Sequence, residues 1–207
     1  MPRGPDGRMD LFPDVTLAVV AGGQGRRLSG VPKGLLRVGE RTVLERLLGL
    51  APLFAEVLLV ANTPEPYARF KLRTVADAVP DKGAPGGVHA ALLGARTEWV
   101  FAVACDMPFV LPDAVRVLLA ARTPGVDAVC FTVEGRVEPL LAAYRASLAS
   151  PWGEALKRGD PSLRELLSQA RARLLPEEAL RAVDAELRSL VNVNTPEELR
   201  RHGLALP

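Results

Sequence analysis

The residues best suited to chemistry in this 207-residue chain fall in two short stretches. The first is Gly22-Gly23-Gln24-Gly25-Arg26-Arg27, followed after a short gap by Val31-Pro32-Lys33-Gly34. Glycines let a backbone approach a phosphate closely, and Arg26, Arg27 and Lys33 supply counter-charge, so this stretch reads as a phosphate loop. Lysine is scarce: Lys33, Lys71, Lys82 and Lys157 stand against 22 arginines. A compact ammonium at Lys33 suits a point contact to phosphate, whereas Lys71, Lys82 and Lys157 read equally as solvated surface charges. The second stretch is Cys105-Asp106-Met107-Pro108. A hard carboxylate at Asp106, facing a cationic loop, suits a divalent ion that bridges nucleotide phosphates; a turn or helix-capping aspartate is the alternative. Asp77 is a second, weaker acid at a strand end, and Asn192 and Asn194 are two amides whose spacing serves either a ligand or a turn.

Two familiar phosphate loops do not fit. A Walker A loop needs Ser or Thr after its lysine, where Gly34 stands. A Rossmann fingerprint needs a third glycine at Leu28 and an acid at the end of the second strand, where the chain offers Asn62.

These residues need a scaffold that brings loop ends together. The run Thr16 to Ala21 is almost wholly apolar and reads as a strand buried on both faces, as do Val57 to Asn62, Trp99 to Ala104 and Ala128 to Val133. Helical patterns at Val43 to Leu48, Val88 to Ala95 and Ala114 to Ala121 alternate with them. The fold class predicted is α/β: a mainly parallel, Rossmann-like sheet with helices on both faces. Phe131 to Val133 and Leu140 to Tyr144 flank Glu134-Gly135-Arg136, which predicts a small antiparallel element in the C-terminal half. Thr42-x-x-Glu45, Ser162-x-x-Glu165 and Thr195-x-x-Glu198 are capping boxes that open helices, and an Arg-rich helical segment is expected over Leu163 to Leu174. Val191 to Asn194 alternates so that the valines face inward. Residues 1–14 are expected to be a disordered N-terminal extension and residues 15–207 a single domain. In an open parallel sheet the ligand binds beyond the carboxyl ends of the strands, where both chemical stretches fall.

Composition narrows the partners. Basic and acidic residues nearly balance, 26 against 24, which removes the electrostatic case for nucleic acid. The longest uncharged apolar stretches, such as Trp99 to Cys105, fall short of the roughly 18–20 residues that cross a bilayer. Cys105 and Cys130 lack the spacing of a metal site and read as buried thiols, consistent with a reducing cytoplasm. His89 and His202 have no matching partners for metal or acid–base work and read as satisfied or solvated.

Taken in order, Val20-Ala-Gly-Gly-Gln-Gly-Arg-Arg-Leu28, Pro32-Lys-Gly-Leu35, Asp77, Gly83-Ala-Pro-Gly-Gly-Val-His-Ala-Ala-Leu92, Cys105-Asp-Met-Pro-Phe109, Glu138-Pro-Leu140 and Val191-Asn-Val-Asn-Thr-Pro-Glu-Glu-Leu199 resemble the molybdenum cofactor guanylyltransferase family, MobA. The resemblance runs from about Thr16 to the C-terminus. It implies Mg²⁺-dependent transfer of GMP from GTP to molybdopterin carrying molybdenum, with release of pyrophosphate. The nucleotide site it implies comprises Val20, Ala21, Gly22, Gly23, Lys33, Asn62, Asp77, Gly87 and Asp106. Arg27, Lys33 and Asp106 would serve catalysis, Asp106 would bind the metal, and Asn192 and Asn194 would face the reaction centre. Accessory cofactor-handling proteins are further partners, with neither nucleic acid nor membrane among them. The chain departs from the family at Val60, where asparagine is common, and Asn62 is the nearest substitute. Molybdopterin cytidylyltransferases and sugar-phosphate nucleotidyltransferases are alternatives on the same scaffold, and a non-catalytic cofactor-delivery module is a third.

Overall fold

A computed structural model describes residues 12–21, 32–193, 198 and 204–205. In chain order the elements are β1 (Phe12–Val20), β2 (Arg37–Val38), β3 (Arg41–Thr42), α1 (Val43–Leu48), β4 (Phe54–Val60), β5 (Arg73–Val75), α2 (Gly83–Gly94), β6 (Trp99–Ala104), α3 (Pro112–Ala120), β7 (Ala128–Val133), β8 (Arg136–Arg145), α4 (Ala149–Arg158), α5 (Leu163–Ser168), β9 (Ala172–Leu175), α6 (Glu177–Arg181) and β10 (Leu204–Ala205). The main sheet has seven strands in the order β5-β4-β1-β6-β8-β7-β9. Among them β8 alone runs against the rest: β1, β4, β5 and β6 pair in parallel, as do β7 and β9, while β8 pairs antiparallel with β6 and β7. This is the predicted α/β fold with its antiparallel element. The sequence pattern did not reveal a second, three-stranded antiparallel sheet of β10, β2 and β3, because two-residue strands carry no periodicity.

The chain leaves β1 for β4 and β5 on one side, then crosses back to place β6 on the other side of β1. The strand order therefore reverses between β1 and β6, and a crevice opens beyond their carboxyl ends. Helices cover both faces. Val15, Leu17 and Val19 of β1 point toward α1, α3 and α6, while Ala18 points toward α2, α4 and α5.

Small residues set the height of the second layer. Ala18, Ala102 and Ala142 lie side by side in register on β1, β6 and β8. The facing helix α2 carries Gly86, Gly87, Ala90, Ala91 and Gly94. A Cβ at Gly87 would come within 2.7 Å of Val20 Cγ1, and one at Gly94 within 3.0 Å of Leu58 Cδ2. The helix thus rides close on the sheet with its N-terminal turn at the crevice. Ala102→Leu is expected to lower stability by about 1–3 kcal/mol, because a well-packed interface has no room for three more carbons; urea unfolding measures it.

Local signals hold where they are strongest. The Thr42 hydroxyl accepts from the Glu45 N–H at 3.2 Å and the Glu45 carboxylate accepts from the Thr42 N–H at 2.7 Å, and Ser162 and Glu165 repeat the arrangement at the same two distances. Glu134 and Gly135 both have positive φ, 49° and 74°, which closes the β7–β8 hairpin in the turn whose twist matches the strands. The Thr195 box lies outside the described residues.

Four expectations are corrected. The extension drawn to Asp14 runs into β1, where Phe12 pairs with Phe54 and Asp14 with Arg122. The strand placed at Val57 to Asn62 spans Phe54–Val60, which leaves Asn62 in the loop beyond it. The helix expected over Leu163 to Leu174 stops at Ser168, and Ala172–Leu175 pairs with β7, because burying Leu175 on the sheet outweighs helix propensity. Val191 to Val193 is not a strand, although Val193 is buried and Asn192 exposed as the alternation predicted.

Glu138 in β8 carries a cost of burial. Removal from water raises its carboxyl pKa above the ordinary range, offset only in part by Arg136. The folded chain therefore holds the Glu138 proton more tightly than the unfolded chain, and stability falls as pH rises from the unfolded value through the folded one. Glu138→Gln is expected to be more stable than wild type at about pH 8 and to converge with it near about pH 3, as read by denaturant midpoints.

Candidate active site

β1 and β6 end side by side. The Cys105 N–H donates to the Val20 carbonyl at 3.0 Å, and Met107 N–H to the Ala104 carbonyl at 3.2 Å, so the chain turns sharply at the rim and presents Asp106 there. The Asp106 carbonyl accepts from the Val193 N–H at 2.9 Å, which ties the late Asn192 segment to this turn.

Lys33 arrives from the other side of the crevice. It opens a single 3-10 turn, Lys33–Leu35, after extended Pro32. Gly34 seats this turn against the buried Tyr67 ring: a Cβ at Gly34 would stand 3.0 Å from Tyr67 Cε1. From there Lys33 Nζ donates to Asp106 Oδ2 at 2.8 Å, across 73 residues of sequence. Both side chains are about four-fifths buried, with exposures of 19% and 18%. A cleft of about 200 Å³ lies over the pair, lined by Val20, Lys33, Gly83, Ala84, Ala104, Cys105, Asp106 and Leu140. Gly83 and Ala84 begin α2, whose first N–H groups have no partner within the helix and so favour an anion.

A second acid borders the same region. Asp77 follows β5 and is bound reciprocally to Asn62: Asn62 Nδ2 donates to Asp77 Oδ2 and the Asp77 N–H donates to Asn62 Oδ1, each at 2.8 Å. That pairing orients the carboxylate and leaves Asp77 Oδ1 buried without a hydrogen-bond partner among the described residues; Asp106 Oδ1 is in the same condition. A Cβ at Gly87 would lie 3.9 Å from Asp77 Oδ1 and 4.0 Å from Val60 Cγ1, so Gly87, Val60, Val20 and Asp77 border one space. Two carboxylate oxygens stripped of water and left unpaired are costly and imply ligand donors or a cation. Cys105 lies at the same rim, but burial pushes its thiol up to about 12, with Asp106 adding to the effect, so it stays neutral and offers no nucleophile.

The structure thus brings together Val20, Lys33, Asn62, Asp77, Gly87 and Asp106 along one edge of the sheet, with Ala21 joined to β4 through the Val60 carbonyl at 2.8 Å. Gly22, Gly23, Arg27 and Asn194 lie outside the described residues. The Asn192 amide donates to the Leu190 carbonyl at 3.4 Å and is exposed. Sequence reasoning missed Ala84 and Leu140 as lining residues, and Gly83 too, although its positive φ of 57° ahead of a helix is the kind of turn a glycine marks. His89 is buried, not solvated, with Nδ1 lacking a hydrogen-bond partner among the described residues.

A switch-point crevice that sets a lysine against a largely buried carboxylate at a helix N-terminus suits nucleotide phosphates, and the chain is a nucleotidyltransferase by its family. A family model for the MobA-like NTP transferase domain matches residues 17–174, and the chain belongs to that family. It is 30% identical over 193 residues to a molybdenum cofactor guanylyltransferase of Desulfosudis oleivorans, covering 93% of this chain and 96% of that one. It is 32% identical over 193 residues to another of that name from Syntrophotalea carbinolica, covering 91% of each. The solved structure of molybdopterin-guanine dinucleotide biosynthesis protein A from Archaeoglobus fulgidus matches with a TM-score of 0.79 and 30% identity, over 90% of this chain and 96% of that one. No helix among the described residues is long and apolar enough to cross a membrane.

Proposed function

We propose that this enzyme transfers GMP from GTP to the phosphate of molybdenum-bearing molybdopterin. The acceptor's phosphate oxygen attacks the α-phosphorus, the bond to the β-phosphate oxygen breaks, and pyrophosphate leaves. The observation that carries this reading is the Lys33–Asp106 pair at 2.8 Å at the mouth of the β1–β6 crevice. Lys33 would contact the nucleotide phosphates, and the α2 N-terminus would add N–H donors beside it. Positioning and charge neutralisation supply most of the catalysis of such a transfer, so a neutral Cys105 is no obstacle.

The buried, unpartnered Oδ1 of Asp106 fits a hard cation. Asp106 would hold Mg²⁺, which when bound neutralises phosphate charge during the transfer. By the family resemblance Gly22, Gly23 and Arg27 would complete the anion site, and Asn192 and Asn194 would serve the reaction centre.

Asp77 gives the base preference its chemistry. Guanine offers two adjacent donors, N1–H and the N2 amino group, and one carboxylate accepts both. Asn62 takes the part of the asparagine usual at Val60 by holding Asp77, not by touching the base. Soluble accessory proteins and a cytoplasmic site of action accord with this substrate. The test is pyrophosphate release with Mg²⁺, molybdenum-loaded molybdopterin and each of GTP, CTP, ATP and UTP, with the dinucleotide identified by mass. Release from CTP in preference to GTP would refute the guanylyl assignment.

A further inference from the structure

A second cleft, larger than the first at about 350 Å³, opens on the side of α1 and is lined by Arg41, Arg46, Pro108, Phe109, Val110, Leu111 and Arg188. Among the described residues, three guanidinium groups and no carboxylate line it. Elsewhere in the chain arginines such as Arg73, Arg122 and Arg145 meet carboxylates, but no salt bridge among the described residues involves Arg41, Arg46 or Arg188. Two of the three are held in place. The Arg46 Nε–H donates to the Pro108 carbonyl at 3.0 Å, and its guanidinium lies 5.5 Å from the Phe109 ring centre. Arg188 lies 5.4 Å from the same ring. Phe109 thus fixes two planar forks from separate parts of the chain, one on α1 and one in the 3-10 turn Arg188–Leu190. The Arg188 turn is itself held down, because the Leu111 N–H donates to Ser189 Oγ at 3.0 Å and Asp184 Oδ1 accepts from the Arg188 N–H at 2.9 Å.

Like charges gathered without counter-ions repel, and that repulsion is relieved by an anion. Guanidinium forks pre-set on an aromatic ring match the tetrahedral oxygens of phosphate better than they match a spherical halide ion, since each fork can donate two parallel N–H bonds to two oxygens. We propose that this cleft is a second anion site, separate from the Lys33–Asp106 cleft, which takes phosphate-class oxyanions on Arg41, Arg46 and Arg188. The site shares a loop with the first: Asp106 is three residues from Phe109, and Arg46 grips the carbonyl between them. An oxyanion that bridges Arg46 and Arg188 fastens α1 to the turn before Val193, and both hold the Asp106 loop.

The oxyanion has two sources, free orthophosphate or the pyrophosphate that a nucleotidyl transfer releases. Calorimetric titration of the full chain with each, at matched ionic strength in sodium chloride, separates them. Three proteins are compared: wild type, Lys33→Ala to cripple the first cleft, and Arg41→Gln/Arg188→Gln to remove two exposed charges of the second. Wild type and Lys33→Ala are expected to share one oxyanion-binding event of the same affinity, with phosphate binding at the first cleft weakened in Lys33→Ala alone, and the double variant to show the shared event about tenfold or more weakened, with an unchanged circular dichroism spectrum. Stronger binding of pyrophosphate assigns the site to the transfer product, and stronger binding of orthophosphate to a free metabolite; either supports the proposal. Unchanged affinity in the double variant, loss of binding in Lys33→Ala, or no binding of either oxyanion to wild type overturns it. Should the double variant fail to fold, Arg41→Gln alone carries the same expectation in smaller degree, since Arg41 is exposed.

Discussion

Asp106→Ala is expected to lower turnover by about a hundred- to a thousandfold, the usual cost of removing one electrostatic group at a reacting centre. The fold should survive, because the Asp106 backbone bond to Val193 and the Met107 turn do not use its side chain. Asp106→Asn sharpens the result. An amide oxygen still accepts from Lys33, so the pair at 2.8 Å is kept in form while the charge is lost. If charge neutralisation is the role of Asp106, Asn behaves like Ala in pyrophosphate release; if its role is to orient Lys33, Asn restores most of the rate. Near wild-type turnover in Asp106→Ala with an intact melting curve would remove Asp106 from the reaction altogether.

Asp77→Leu is expected to reduce kcat/KM for GTP by about ten- to a hundredfold, the range for charge-assisted hydrogen bonds lost to a ligand. The same change should leave kcat/KM for ATP and CTP nearly where it was, since neither presents guanine's pair of adjacent donors. Discrimination therefore collapses from the GTP side. Competition between equimolar GTP and ATP, with products separated by mass, reads the ratio directly. A preserved preference for GTP would place base reading elsewhere, for instance on backbone groups near Val20. Asn62→Ala is a weaker version of the same experiment. It frees Asp77 from its two 2.8 Å bonds, so it loosens the orientation of the carboxylate without removing it.

The strands and the two described capping boxes were legible because they are local. A run such as Trp99 to Ala104 has no polar face to expose, and Thr42 and Glu45 are three residues apart, so nearest neighbours decide their conformation. The fold class followed from alternation alone. Asp106 could be placed at a strand end because a buried strand has to stop where charge begins. The β9 segment was misread for the opposite reason: its pairing partner β7 is more than forty residues away, and nothing within Ala172–Leu175 announces it.

Composition and order along the chain were thus enough to settle an α/β class, the neutral balance of charge and the identity of Lys33 and Asp106 as a cation and an acid worth pairing. Their meeting was decided by packing. Lys33 reaches Asp106 because Gly34 can lie on Tyr67 and because the strand order reverses between β1 and β6. Asp77 is aimed by Asn62, and α2 comes near enough to matter because Ala18, Ala102 and Ala142 line up across three strands. The arginine cleft draws on three separate segments gathered around Phe109. Each of these depends on residues tens of positions apart adopting one register and one layer height, which side-chain volume sets and local propensity cannot.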